Sequence, residues 1–459
     1  MIEKKLSEEI IDTLSESGAR FCELFAEKTK STMVFMEQSK VEKITAGIDS
    51  GIGLRIVEGA ATAYAYVNSM EKDRVLSVAK ELSKVFKAGQ KKRSVTLLPL
   101  QSYNADYIKI VPESVGLGEK IELLYFLDKT GRSVSPLINQ VSLRYGDSEQ
   151  EIYIANSEGI HVRDVRIRSR FMINVIAQKD GIIQTGYEGP GESRGWEYIK
   201  ELPVEKIARK AAQRAVNMLD AALAPAGKMM VVLSGEAGGT MIHEACGHSL
   251  EADFIHKKTS IFSESLGKMV ASPLITVIDD GSLAYKYGYS AVDDEGTKTS
   301  PSVLIEKGVL KNFINDKMSA NLLNMPPTGN GRRENYRNKP VPRMTNTYIA
   351  NGETDPQAIV DSVSNGLLVT KMGGGQVNTT NGDFVFEVSE GFIIKNGKVA
   401  ELVRGATLTG NGPEVLKSVD MVGNDLTFIP GVCGKGDHVP VSDAQPTLRI
   451  PEIVVGGQV

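Results

Sequence analysis

The chain has 459 residues, 41% of them hydrophobic, enough apolar material for two or three packed domains. Its formal net charge of −4, with both signs interspersed, supplies no basic field and argues against a nucleic-acid partner. No apolar run reaches the roughly 18 residues of a membrane span, so none is expected.

The first segment, "MIEKKLSEEIIDTLSESGARF", mixes acids and bases and lacks the continuous apolar stretch of a signal peptide. Ile10, Ile11, Leu14 and Phe21 instead fit one stripe of an amphipathic helix. Cys22, Cys246 and Cys433 are an odd, widely spaced set, which points to a reducing, cytoplasmic setting and not to a disulfide framework. Next comes "STMVFMEQSKVEKITAGIDSGIGLRIVEGAATAYAYVN", which alternates apolar and polar residues between glycine turns and reads as an antiparallel meander. Helical patterns follow near 70–88 and 113–130. A second meander runs through "QEIYIANSEGIHVRDVRIRSRFMINVIAQKDGIIQTGYEG", and a helix near 195–221 closes the region. "SGIGLRIVEG" at 50–59 echoes "EGIHVRDVRI" at 158–167, which suggests a duplication; shared hairpin turn chemistry is the simpler alternative.

"LAPAGK", 223–228, has the marks of a boundary: it ends a helix, carries Pro225 and Gly227, and precedes the apolar strand "MMVVLS". Beyond it strand-like runs dominate. "FVFEVSEGFIIKNGKVAELVRG" reads as a hairpin turning at Asn396-Gly397. The expected fold class is α+β. An N-terminal mixed domain, 1–222, has antiparallel meanders and helices. A C-terminal domain, 228–459, is mainly antiparallel β and carries one principal helix, 238–254.

That helix contains His243, Glu244 and His248, an H-E-x-x-x-H pattern one residue longer than the familiar zinc-hydrolase spacing. Glycines at 235, 238 and 239 precede it, and Thr240 is placed to cap it. Each helical residue advances about 100°, so positions five apart diverge by roughly 140°. A regular helix would pair Glu244 with His248, or His243 with Cys246. A locally widened π-type turn would bring both histidines to one metal, and Gly247 weakens regular helix at that point. A polar helix without a site remains the third alternative. A catalytic zinc wants three protein ligands and one open position. Cys433, His438, His256, Cys246 and nearby carboxylates are the candidates for the third. Cys433 stands between glycines in "IPGVCGKGDHVPV", where a thiolate can approach a metal without crowding.

"HEACGHSLEAD", "GNGRRENYRNKPVPRMTNTY" (329–348), "GGGQVNTTNGDFVFEVSEGF" (373–392), "GATLTGNGPEVLKSVDMVGNDL" (405–426) and "PGVCGKGDHVPV" (430–441) occur in one order. This series resembles the TldD family of metallopeptidases, the TldD/PmbA or TldD/TldE group. The resemblance is dense over the second half and looser over the first. It implies a Zn2+ site of His243, His248 and Cys433, with Glu244 as general base. The TldE or PmbA partner type lacks the two histidines, so their presence implies a TldD-type chain. Cys246 falls where the family often has alanine or valine. His438 stands where the family usually has glutamine, and "VSDAQPT" replaces a run richer in glycine, so the loop around Cys433 departs from the pattern.

The implied activity is zinc-dependent hydrolysis of peptide bonds in unfolded peptides or small proteins. The alternative is a non-catalytic regulatory protein, of the gyrase-modulator type, with a structural zinc. The implied partner is a homologous TldE/PmbA-like subunit, or a second copy of the chain. Arg332, Arg333, Arg337 and Arg343 form a basic cluster in a Gly- and Pro-rich stretch. Arg332, Arg333 and Arg343 are candidates for clamping substrate carboxylates or carbonyls, a solvated loop being the plainer alternative. "MTNTYIA", 344–350, could be an open strand edge that binds extended peptide. "GNGR" and "GGGQVN" match neither common phosphate-loop pattern, which argues against nucleotide binding.

Overall fold

The stripe of the first segment forms helix α1, Lys4–Ser15, burying Ile10, Ile11 and Leu14. Phe21 begins the next strand instead. A computed structural model describes residues 2–86 and 94–457. In the first half it contains strands β1 (Phe21–Glu37), β2 (Lys40–Glu58) and β3 (Ala61–Val67), then helices α2 (Lys72–Val85) and α3 (Leu117–Arg132). Strands β4 (Ile138–Asn156), β5 (His161–Lys179) and β6 (Ile182–Glu188) follow, with helices α4 (Trp196–Glu201) and α5 (Val204–Leu219). The last two of the helix expected near 70–88, residues 87 and 88, lie outside the described residues. The single helix expected over 195–221 is broken at Pro203, which has no N–H to continue the ladder.

The two meanders share one sheet, in which β1 pairs antiparallel with both β2 and β4. Strands of 17 to 19 residues extend about 60 Å, so one sheet carries two helical layers. Helices α1 and α2 cover one end, around Leu24, Leu54 and Tyr153. Helices α3, α4 and α5 cover the other, around Leu143, Phe171 and Val175. The topology repeats as helix, three strands, helix. The echo between 50–59 and 158–167 does not mark equivalent positions, however. The first lies where β2 pairs with β3; the second spans the turn into β5 and its first residues.

Strand β1 is buried on both faces at its start, and its period of two divides the labour. Cys22, Leu24 and Ala26 face the helices. Phe25 joins Ile152, Ile154 and Tyr336, a residue of the second half. Glu23 accepts from Arg333 at 2.5 Å, and Glu27 accepts from the Tyr336 backbone N–H at 2.7 Å. Gly51 and Gly53, opposite Glu27 and Phe25 on β2, leave the room. A Cβ at Gly51 would stand 2.1 Å from the Tyr336 ring.

The second half contains β7 (Gly227–Leu233), β8 (Val277–Asp280), β9 (Pro301–Glu306), β10 (Asn346–Ile349) and β11 (Asn365–Val377). It continues with β12 (Asp383–Lys395), β13 (Lys398–Arg404), β14 (Thr407–Asn411), β15 (Thr427–Gly434), β16 (His438–Gln445) and β17 (Leu448–Gly456). Strands β11, β7, β17, β14 and β12 pair in that order, and β12 pairs back with β11, closing a ring. Strands β12 and β13 form the expected hairpin. Asn396 (φ 51°) and Gly397 (φ 74°) occupy its turn in the left-handed region that Asn-Gly suits. A second sheet runs β9, β8, β10, β16, β15, with Val309–Leu310 beyond β9. Here the open-edge expectation for 344–350 is corrected. Strand β10 pairs with β8 on one side and β16 on the other, so its backbone groups are occupied. The outer strand is β15. No helix among the described residues is long and apolar enough to cross a membrane.

Candidate metal centre

The segment that follows β7 is helical but changes pitch. Gly239 occupies the cap position and Thr240 is the first helical residue, so Thr240 does not cap. His243–Gly247 is a π-turn, followed by a 3-10 turn, His248–Leu250, and a last α-turn, Ala252–His256. The wider turn brings positions five apart onto one face. The His243 and His248 ring centroids are 5.0 Å apart, their planes nearly perpendicular.

Packing supports the distortion. Met241, Ile242, Ala245, Cys246 and Leu250 enter the same core as the ring strands, which leaves the histidine face outside it. Gly247 has ordinary helical dihedrals, so its role is close approach. A Cβ there would lie 2.1 Å from the Met344 sulfur, and Met344 is fully buried. Gly247→Ala is therefore expected to cost about 1–3 kcal/mol by overpacking. Denaturant titration checks this; an unchanged midpoint would show that Met344 moves aside freely.

Cys433, near the end of β15, comes to this face through the β15–β16 hairpin, in which Cys433 pairs with Val439. Its Sγ lies 3.2 Å from His243 Nε2 and 3.4 Å from His248 Nε2. One donor atom from each of the three residues falls within 4.8 Å of the others. Donors around a tetrahedral zinc with these ligand types stand about 3.5 Å apart, so the spacing fits such an ion. Burial alone would push the Cys433 thiol up, but its two histidine neighbours outweigh that and bring it down to about 5. Burial disfavours the charged imidazoles, yet Asp443 holds His243 well above its ordinary value and Glu251 raises His248 to about 9. These shifts run in the direction that favours a thiolate facing protonated imidazoles. Such a donor set favours a soft divalent ion, which binds by displacing those protons.

Glu244 sits beside the cluster, and no hydrogen bond or ion pair to a described residue holds its carboxylate. Burial raises its pKa, with the two histidines working against that. Cys246 lies in the apolar core and burial pushes its thiol up to about 12, so the His243/Cys246 pairing is not formed. His256 and His438 are not in the donor group, and His438 is 69% exposed on the hairpin.

The three arginines are elsewhere than a substrate clamp requires. Arg332 donates to the carbonyls of Met344 and Pro440. Arg333 donates to Glu23 and the Asp294 carbonyl, 4.0 Å over the Phe25 ring. Arg343 is fully buried, pairs with Asp437 and donates to the Cys433 carbonyl at 2.6 Å. This placement corrects the clamp reading: all three are buried and hold the fold together. Stranding one partner of such a buried pair costs about 3–5 kcal/mol. Arg337 is half-exposed and pairs with Asp49.

Two carboxylates at the cluster escaped sequence reasoning. Glu251, three residues after His248, carried a signal in its helical spacing. Asp443 carried none, because only the packing of the helical segment onto its strand brings it near His243.

Three family models match: the PmbA/TldA metallopeptidase domain 1 at residues 22–86, the central domain at 110–219 and the C-terminal domain at 226–457. A protein named metalloprotease TldD homolog from Haemophilus influenzae is 36% identical, covering 98% of this chain and 95% of that one. A metalloprotease of Methanothermobacter thermautotrophicus is 31% identical over 96% of each chain. Among solved structures, a putative modulator of a DNA gyrase from Thermotoga maritima superposes with a TM-score of 0.80 at 18% identity, covering 98% of this chain and 99% of that one. TldE from Thermococcus kodakarensis does so at 0.77 and 19%, covering 98% of this chain and 100% of that one. These two likenesses concern the fold.

Proposed function

The chain belongs to the TldD family of metallopeptidases, and on that premise we propose that it is a zinc-dependent peptidase acting on unfolded peptides or small proteins. The observation that carries the reading is the three-donor cluster, His243, His248 and Cys433, with the unpaired Glu244 beside it. Three protein ligands leave a fourth position open, as catalysis needs and a closed structural site does not. Zinc bound there would supply Lewis acidity toward a peptide carbonyl and bring the pKa of a water toward 7.

Glu244 takes a proton from the attacking water and delivers it to the leaving amine. His243, His248 and Cys433 act only as ligands. The outer edge of β15 leads to Cys433, and an extended peptide pairing there would bring its backbone to the centre. Pro430 has no N–H and its carbonyl accepts from Arg170 at 3.3 Å, so such pairing would have to use the residues beyond it. A cavity of about 390 Å³ adjoins this strand, lined by Glu27, Gln150, Tyr287, Glu334, Val432 and His438, next to but not including the three donors.

The same reading includes a cytoplasmic protein of two parts, 1–222 and 228–459, paired with a TldE-like subunit or a second copy. The test uses the purified chain with and without such a partner. It compares one polypeptide in native and in reduced, alkylated form, with and without EDTA. Cleavage of the unfolded form alone, abolished by EDTA, is expected. Equal cleavage of both forms would overturn the substrate class. Cleavage surviving EDTA would overturn the zinc reading, and no cleavage beside full zinc occupancy would favour a structural, regulatory role.

A further inference from the structure

We infer that Asp443 and Glu251 are positioning residues for the metal centre, each engaging Nδ1 of one histidine so that both Nε2 atoms turn toward Cys433. The inference rests on the zinc reading above and goes beyond it to two residues outside the ligand set. An imidazole can offer either nitrogen to a metal, and the hydrogen bond made by one decides what the other does. Here both rings are oriented alike. His243 Nδ1 lies 3.0 Å from Asp443 Oδ1, and His248 Nδ1 lies 3.2 Å from Glu251 Oε2. The opposite nitrogens are the ones that approach the Cys433 sulfur. The first contact is short but off line for a hydrogen bond, since neither atom otherwise finds a partner.

The two carboxylates arrive by different routes. Asp443 belongs to β16, in register with Ile429 of β15. The helical segment is pressed onto that strand at Gly239, where a Cβ would come within 2.3 Å of the Ala444 nitrogen and 2.7 Å of the Asp443 Cβ. His243 follows one turn later, its N–H bonded to the Gly239 carbonyl at 2.9 Å, and so stands over Asp443. Glu251 is fully buried just past the 3-10 turn. Besides His248 it meets Lys435 Nζ at 3.0 Å and Arg343 Nε at 3.9 Å. Lys435 lies two residues beyond Cys433, and Arg343 holds the Cys433 carbonyl. One carboxylate therefore ties the histidine-bearing segment to the thiolate-bearing loop.

Loss of such outer partners typically weakens metal affinity about 10- to 100-fold. The experiment measures zinc affinity by chelator competition for the full chain, for Asp443→Asn, Glu251→Gln and, as a reference, Cys433→Ser. Selective 15N-histidine labelling of the zinc-loaded unsubstituted chain reports which ring nitrogen is protonated. Expected are a 10- to 100-fold loss in each amide variant, metal-free melting of Asp443→Asn close to that of the unsubstituted chain, and Nδ1–H with Nε2 ligation on both histidines. Affinities within twofold of the unsubstituted chain would overturn the inference, as would Nδ1 ligation on either ring. Should Glu251→Gln fail to fold, Asp443→Asn and the nitrogen shifts still decide. Absence of zinc binding by the unsubstituted chain, or undiminished binding by Cys433→Ser, would instead overturn the zinc reading itself.

Discussion

Glu244→Gln should retain zinc and lose peptide cleavage by about 10²–10⁴-fold, the usual contribution of a positioned general base. The substitution keeps the size of the side chain and removes its ability to take a proton. Glu244 is not among the three clustered donors, so the metal has no reason to leave. No hydrogen bond or ion pair to a described residue depends on its charge, so folding should be little affected. Elemental analysis and mass spectrometry of a digested peptide library measure the two quantities on one preparation. Cleavage within a few-fold of the unsubstituted chain would remove Glu244 from the mechanism. Loss of zinc would recast it as a ligand. A protein whose zinc is structural should show neither change.

Cys433→Ser should lose most of its zinc, by more than the roughly 10- to 100-fold that outer-shell changes cost. A serine hydroxyl is not ionised at neutral pH, whereas the Cys433 thiol, held at about 5 beside two histidines, already is. The remaining two imidazoles would form an incomplete site. Cys246→Ser provides the internal control. Cys246 lies in the apolar core away from the donor atoms, so its replacement should affect stability and leave the metal content unchanged. Full zinc retention by Cys433→Ser, or metal loss confined to Cys246→Ser, would reverse the assignment of the two thiols.

What the sequence determined by itself is what depends on near neighbours along the chain. The stripe of Ile10, Ile11 and Leu14 specified a buried helical face. Asn396-Gly397 specified a turn, because few residues tolerate its left-handed dihedrals. The five-residue interval between His243 and His248 required a widened turn if they were to share an ion, since a regular helix would separate them, and the segment is wound that way. Cys433, 190 residues from His243, was singled out by resemblance and by its glycine neighbours, which do not report what lies across from it.

The tertiary structure decided the rest, and the reason is physical. Periodicity tells which face of an element is buried but not against what, because strand partners lie far away in sequence. Residues 346–349 have the alternation of a half-exposed strand, yet β8 and β16 flank them, so no edge remains. Arg332, Arg333 and Arg343 sit in a Gly- and Pro-rich stretch that looks solvated. Their carbonyl and carboxylate acceptors come from residues 23, 294, 344, 433, 437 and 440, several of them distant, and only the closed fold assembles these around a buried guanidinium. Asp443 meets His243 for the same reason: Gly239 lets a helical turn rest on a neighbouring strand, a proximity that no local pattern in the sequence encodes.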